Sequence, residues 1–143
     1  MKRIIRKLSD RDINLEDMNA LEFFARDGEW QTKSYGYKVK SLSLWELESK
    51  FHDRLKENFP DAEIIIGNSF ELAHRNSYKN KFDLIVFDNP QGIYDRYCEH
   101  FEALELTPLL LSQQGFVIFN VNKSPFDYDK HPAWAQRRRD YYG

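Results

Sequence analysis

One cysteine, Cys98, stands in 143 residues, so an internal disulfide is excluded and no thiolate zinc pattern exists. Long apolar runs are missing too. Nothing approaches the roughly 20 residues that a membrane helix requires, and the mean hydropathy is −0.71. The basic opening, Met1 to Lys7, lacks the apolar stretch and small-residue cleavage site of a secretory signal. The expectation is a cytoplasmic protein with no membrane partner. An excess of positive charge is also absent, since 21 Lys and Arg face 23 Asp and Glu. The net charge of −2 offers nucleic acid no global attraction, and any basic surface has to be local. His52, His74, His100 and His131 are scattered without ligand spacing, so no metal site is expected. Glycine is scarce at six residues. A GxGxxG fingerprint, a GxxxxGK[ST] phosphate loop and a serine nucleophile elbow are all missing.

What is present is apolar punctuation at domain scale. The length fits one domain able to bury its own core. Residues 1–19 are charge-dense and read as an N-terminal arm or short helix, leaving 20–143 as the domain proper. From Ala20, Ala-Leu-Glu-Phe-Phe-Ala is a compact strand with one embedded acid, and Arg26-Asp27-Gly28 turns the chain. Residues 29–38 allow only a short or irregular helix. Val39 to Leu44 is a second strand, and Leu47, Phe51 and Leu55 then form an amphipathic stripe that Pro60 ends. Ala62 to Gly67 is a third strand. Leu84 to Phe87, unbroken and rich in β-branched and aromatic residues, is a fourth that suits burial on both faces. Tyr97, Phe101 and Leu104 carry a helical stripe, with Cys98 read as a small buried residue beside it. Gln113-Gln114-Gly115 is then expected to turn the chain into a fifth strand, Phe116 to Val121, and Ala133 to Tyr142 into a final helix. Strands alternating with helix-length connections imply an α/β fold: a doubly wound, mostly parallel sheet of about five strands with helices on both faces.

In such sheets ligands bind outside the carboxyl ends of the strands. Polar residues collect where those ends should lie: Glu22 with Ala25 to Gly28, Ser43 to Glu46, Asn68-Ser69, and Asp88-Asn89-Pro90. In this order and spacing, residues 20–121 resemble the class I S-adenosylmethionine-dependent methyltransferases. The first motif of that family is an acid on the first strand followed by a glycine-rich turn. Leu21-Glu22-Phe23-Phe24-Ala25-Arg26-Asp27-Gly28 is similar to it, with one glycine and with Arg26 at a place often held by glycine. The resemblance implies S-adenosylmethionine as cofactor. Glu22, Phe24, Ala25, Asp27 and Gly28 would line the first turn, and Asn68 and Ser69 would lie beside the adenine. Glu46, or by strict spacing Ser43, would hold the ribose hydroxyls, and a carboxylate is the better acceptor for two donors. It also implies that Asp88, Asn89 and Pro90 orient the methyl acceptor. The family's final antiparallel hairpin has no counterpart before Gly143.

Asn89-Pro90-Gln91 is similar to the Asn/Asp-Pro-Pro-Tyr motif of amino-group methyltransferases, with Gln91 and Gly92 at the second proline and the aromatic. An amino group, on a nucleic-acid base or elsewhere, is the acceptor class this leaves open. Each residue also has a plainer reading. Glu22 can pair with the charged arm, Glu46 can be a first-turn helix acid, Asn68 a helix cap, and Asp88-Asn89-Pro90 an ordinary turn. Arg137-Arg138-Arg139 reads as one solvated face of a terminal helix. The rival function is a degenerate domain of this fold that serves as a binding or assembly module.

Overall fold

The computed structural model describes residues 1–87, 93–94 and 97–119, together with positions 132 and 136. Helix α1 spans Lys2–Ser9 and strand β1 spans Asn19–Phe23, one residue ahead of the expected start. A short helix α2 (Thr32–Tyr35) precedes β2 (Ser41–Glu46), followed by α3 (His52–Asn58) and β3 (Glu63–Ile66). Then come α4 (Ser69–Leu72), β4 (Phe82–Phe87), a two-residue pair β5 (Ile93–Tyr94) and β6 (Tyr97–Cys98), α5 (Glu99–Leu110) and β7 (Leu111–Phe119).

Five strands form one parallel sheet in the order β3-β2-β1-β4-β7. The chain winds outward from β1 to β3, then returns to the other side of β1 for β4. That reversal makes the β1–β4 junction the topological switch point, where a doubly wound sheet parts its connections and opens a ligand-sized space.

Alternation along the strands loads both faces. Leu21, Phe23, Trp45, Ile85 and Phe87 pack with Phe70, Leu72, Tyr78, Ala103, Leu106 and Leu110 on one side. Ala20, Leu42, Leu44, Leu84 and Val86 pack with Leu15, Tyr35, Leu55 and Phe59 on the other. Met1, Ile5 and Leu8 of α1 lean on that second cluster. The expected sandwich of helices on both faces is observed.

Three local readings are corrected. Strand β2 is displaced two residues toward the carboxyl end of the expected span, so it finishes at Glu46 and leaves Ser43 in the strand interior, donating to Glu63 at 2.7 Å. Tyr97 and Cys98 belong to the small hairpin opposite Tyr94 and Ile93, not to the helix that begins at Glu99. The Gln113-Gln114-Gly115 segment is an irregularity inside β7 rather than a turn before it: Leu111 pairs with Phe82 and Phe116 with Leu84. Space at Gly115 is tight: a Cβ there would stand 2.6 Å from Cδ2 of Leu111 and 3.0 Å from the Phe82 carbonyl oxygen. Ser112 ties the irregularity down by donating to Asp83 at 2.7 Å. Apart from position 136, which is helical, the expected helix over 133–142 lies outside the described residues.

Candidate functional site at the switch point

The segment after β1 has a specific backbone. Phe24, Arg26 and Gly28 have φ of +60°, +49° and +68°. Every second residue of the turn is thus left-handed, a region that glycine enters freely and that costs other residues about 1–2 kcal/mol each. The turn keeps a glycine-type path with two bulky side chains on it. Non-glycine residues held this way need surroundings that over-determine them, and those surroundings are identifiable.

The first is Glu46, at the carboxyl end of β2 and only 5% exposed. Its Oε2 accepts the Arg26 backbone N–H at 2.7 Å and its Oε1 accepts the Glu48 N–H at 2.8 Å. One buried carboxylate therefore clamps the β1 turn to the β2 turn, and each oxygen retains a further lone pair. The Ala25 N–H donates to the Trp45 carbonyl at 3.1 Å, and the Gly67 N–H to the Glu46 carbonyl at 2.8 Å. The loops after β1, β2 and β3 are tied side by side.

Glu22 is fully buried. Thr32 Oγ1 donates to its Oε1 at 2.6 Å, and the Tyr35 hydroxyl donates to its Oε2. The acid in the strand thus holds α2 beneath the turn. Sequence reasoning missed Thr32 and Tyr35, because residues 29–38 carry no helical stripe. Their i, i+3 spacing behind an acid embedded in a strand was the available signal.

Gly28 is explained by packing: a Cβ there would lie 2.5 Å from Cε2 of Phe59, the residue that follows α3. Asp27 Oδ1 accepts the Glu29 N–H at 3.1 Å, and Asn58 Nδ2 donates to the Asp27 carbonyl at 2.7 Å. Ala25 and Ser69 are buried. Asn68 caps α4, its Oδ1 accepting the Phe70 N–H at 3.0 Å.

The Phe24 ring sits 5.7 Å from Phe23, 6.2 Å from Phe70 and 6.4 Å from Phe87, centroid to centroid. The Arg26 guanidinium lies 5.6 Å from the Phe51 ring centroid, on the β2 side of the turn. Glu22, Phe24, Ala25, Asp27, Gly28, Glu46, Asn68 and Ser69 thus sit on or next to three adjoining strand ends. Asp88, Asn89 and Pro90 lie outside the described residues; β4 delivers the chain to them at Phe87, opposite Phe23.

No protein-family model and no curated protein matches the sequence. Solved structures do match. An S-adenosylmethionine-dependent methyltransferase from Clostridium acetobutylicum aligns with a TM-score of 0.64 at 19% identity, over 83% of this chain and 48% of its own. A TehB-like S-adenosylmethionine-dependent methyltransferase from Corynebacterium glutamicum gives a TM-score of 0.56 at 18% identity, covering 94% of this chain and 79% of its own. Precorrin 8w decarboxylase from Methanobacterium thermoautotrophicum gives 0.61 at 15% identity, covering 98% and 69%.

The fold is that of the class I methyltransferases.

This chain therefore spans about half the length of the Clostridium methyltransferase. The strand order and the switch point of the methyltransferase fold are present in it. Two of the turn's left-handed positions carry Phe and Arg.

Proposed function

We propose that the switch-point edge binds S-adenosylmethionine and that the chain is a methyl-transferring domain. The observation that carries this reading is the clamp at Glu46: a buried carboxylate at the end of β2, bonded to the left-handed turn after β1. A carboxylate with spare lone pairs suits the two hydroxyl donors of a ribose. The Asn68-capped start of α4, beside the same edge, supplies polar groups for a purine. The donor set fits the nucleoside half of the cofactor. When bound, the cofactor supplies an electrophilic methyl group on a sulfonium, so the protein's task is alignment, which can contribute roughly 7–11 kcal/mol. Glu46 and the 24–28 turn hold the nucleoside, Glu22 acts through α2 to keep that turn in place, and Asp88-Asn89-Pro90 after β4 orient the acceptor. The acceptor class is an amino group, on the strength of Asn89-Pro90-Gln91.

One observation favours a second reading, a degenerate domain of this fold that no longer holds the cofactor and serves as a binding or assembly module. The Phe24 ring packs toward Phe70 and Phe87 at a position where glycine would leave open space.

Calorimetric titration with S-adenosylmethionine and S-adenosylhomocysteine separates the two. Saturable heat with either ligand, with affinity reduced tenfold or more in Glu46→Gln while the fold persists by circular dichroism, supports a cofactor site and with it the first reading. Absence of heat and of any thermal shift with both ligands rejects it in favour of the second reading.

A further inference from the structure

Helix α1 carries a charge arrangement found nowhere else among the described residues. Lys2, Arg3, Arg6 and Lys7 are all exposed, and none forms an ion pair among the described residues. Elsewhere Lys33 and Arg54 pair with Glu29, Lys50 with Glu48, and Lys81 with Glu63. Arg11, Lys38, Lys40, Arg75 and Lys79 also lack an ion pair among the described residues; α1 differs in carrying four such cations on one short helix. Asp10, four residues beyond Arg6, caps the helix through its backbone and does not close on the guanidinium.

Most local terms in α1 work against this placement, the exception being the last turn, where the helix dipole favours Arg6 and Lys7. Lys2 and Arg6, and Arg3 and Lys7, are like-charge pairs at i, i+4. Lys2 and Arg3 sit in the first turn, where the helix dipole disfavours cations, and no acid occupies that turn. An anion laid along the exposed side would relieve all of these repulsions together. The apolar side of the helix is already committed, since Met1, Ile5 and Leu8 pack on the core. A membrane-lying helix needs that side free, and a protein interface needs an aromatic or apolar centre. Here only Ile4, 38% exposed, is offered. For a phosphate backbone, in contrast, cations suffice, because charge neutralisation supplies essentially all of sequence-independent binding.

We propose that the exposed side of α1 is a docking surface for the phosphate backbone of a nucleic acid. It is a local basic surface on a chain whose net charge is −2, and it stands independently of the methyl-transfer reading. Contact is through charge, so recognition is sequence-independent and strongly salt-dependent.

The test is fluorescence anisotropy with labelled 20-nucleotide single strands and 20-base-pair duplexes at 50 and 200 mM salt. Three or four neutralised phosphates predict that duplex affinity falls roughly 40- to 150-fold between those salts. The quadruple variant K2A/R3A/R6A/K7A is expected to lose at least tenfold in affinity at 50 mM salt, with its circular dichroism unchanged. The charge-preserving K2R/R3K/R6K/K7R variant keeps binding, and serves as the comparison if the alanine variant is unstable. No binding at 50 mM salt overturns the proposal. So does undiminished binding by the folded alanine variant, or capture by phosphatidylserine vesicles without capture by either oligonucleotide.

Discussion

Phe24 and Arg26 hold backbone conformations that their side chains disfavour, in a turn whose third left-handed position is Gly28. The three positions are not equivalent, and the difference is measurable. At Arg26 the turn is held through its backbone N–H, which Glu46 accepts, so glycine there keeps the clamp and removes the steric penalty. Against that gain stand the extra chain entropy of glycine and the loss of the guanidinium's contact with Phe51, leaving Arg26→Gly at least as stable as the wild type, with a gain of up to roughly 1 kcal/mol. Gly28→Ala goes the other way, because the new methyl meets Phe59 at 2.5 Å as well as a positive φ. It should cost about 2–4 kcal/mol. Urea midpoints of the two variants check both signs; a loss in Arg26→Gly as large as that in Gly28→Ala would contradict a left-handed Arg26. The sequence marked Glu46 as a polar group near the end of the second strand, but not that its two oxygens would accept the Arg26 and Glu48 N–H groups. The partners of Glu22 were not legible either, because Thr32 and Tyr35 meet it only after α2 folds back under β1.

Single elements here are short, and the contacts between them do the fixing. Glu29, just past the turn, pairs with Lys33 at 2.9 Å and with Arg54 of α3 at 2.7 Å, and Asn58 also donates to it. Lys33 first, then Arg54 and Asn58, lower its carboxyl from 4.5 to about 2. A carboxyl lowered in the folded state contributes stability that is present above pH 4.5 and is lost as pH falls from there toward 2. The group is exposed, so the effect is small and screened by salt. Urea midpoints at pH 7, 4 and 2.5 should show the wild type losing stability over that window and Glu29→Gln losing less, with the difference shrinking in 1 M salt. Equal losses in both proteins would remove the ion pair from the account. Of the elements, β4 was the most legible, because an unbroken apolar run needs burial on both faces. The irregularity in β7 was hidden: Gln113-Gln114-Gly115 has turn composition, and only pairing with Phe82 and Leu84 keeps those residues inside a strand.

At the scale of the molecule, β1 is the centre of the sheet, β2 and β4 flank it and are likewise paired on both sides, and β3 lies at an edge. Leu21, Phe23, Leu84, Ile85 and Val86 are at most 1% exposed, whereas Ile64, Ile65 and Ile66 of β3 are only half-buried. Amide exchange should therefore be slowest in β1 and β4, approaching the global unfolding limit, and faster in β3. Exchange in β3 as slow as in β1 would mean that the edge is covered. The sequence by itself determined the class of fold, because apolar runs of strand length separated by helix-length connections can bury themselves in few other ways. It also placed Glu22, Glu46 and Asn68 within two residues of a strand's carboxyl end, although the second strand runs two residues further than its composition suggested. Only the tertiary structure decided what these groups do there. Glu46 clamps two loops, Glu22 anchors α2, Asn68 caps α4, and Phe24 lies among Phe23, Phe70 and Phe87. Those roles depend on partners up to 63 residues away in the chain, as Phe87 is from Phe24, and no local pattern encodes a contact that exists only once the sheet has brought both ends together.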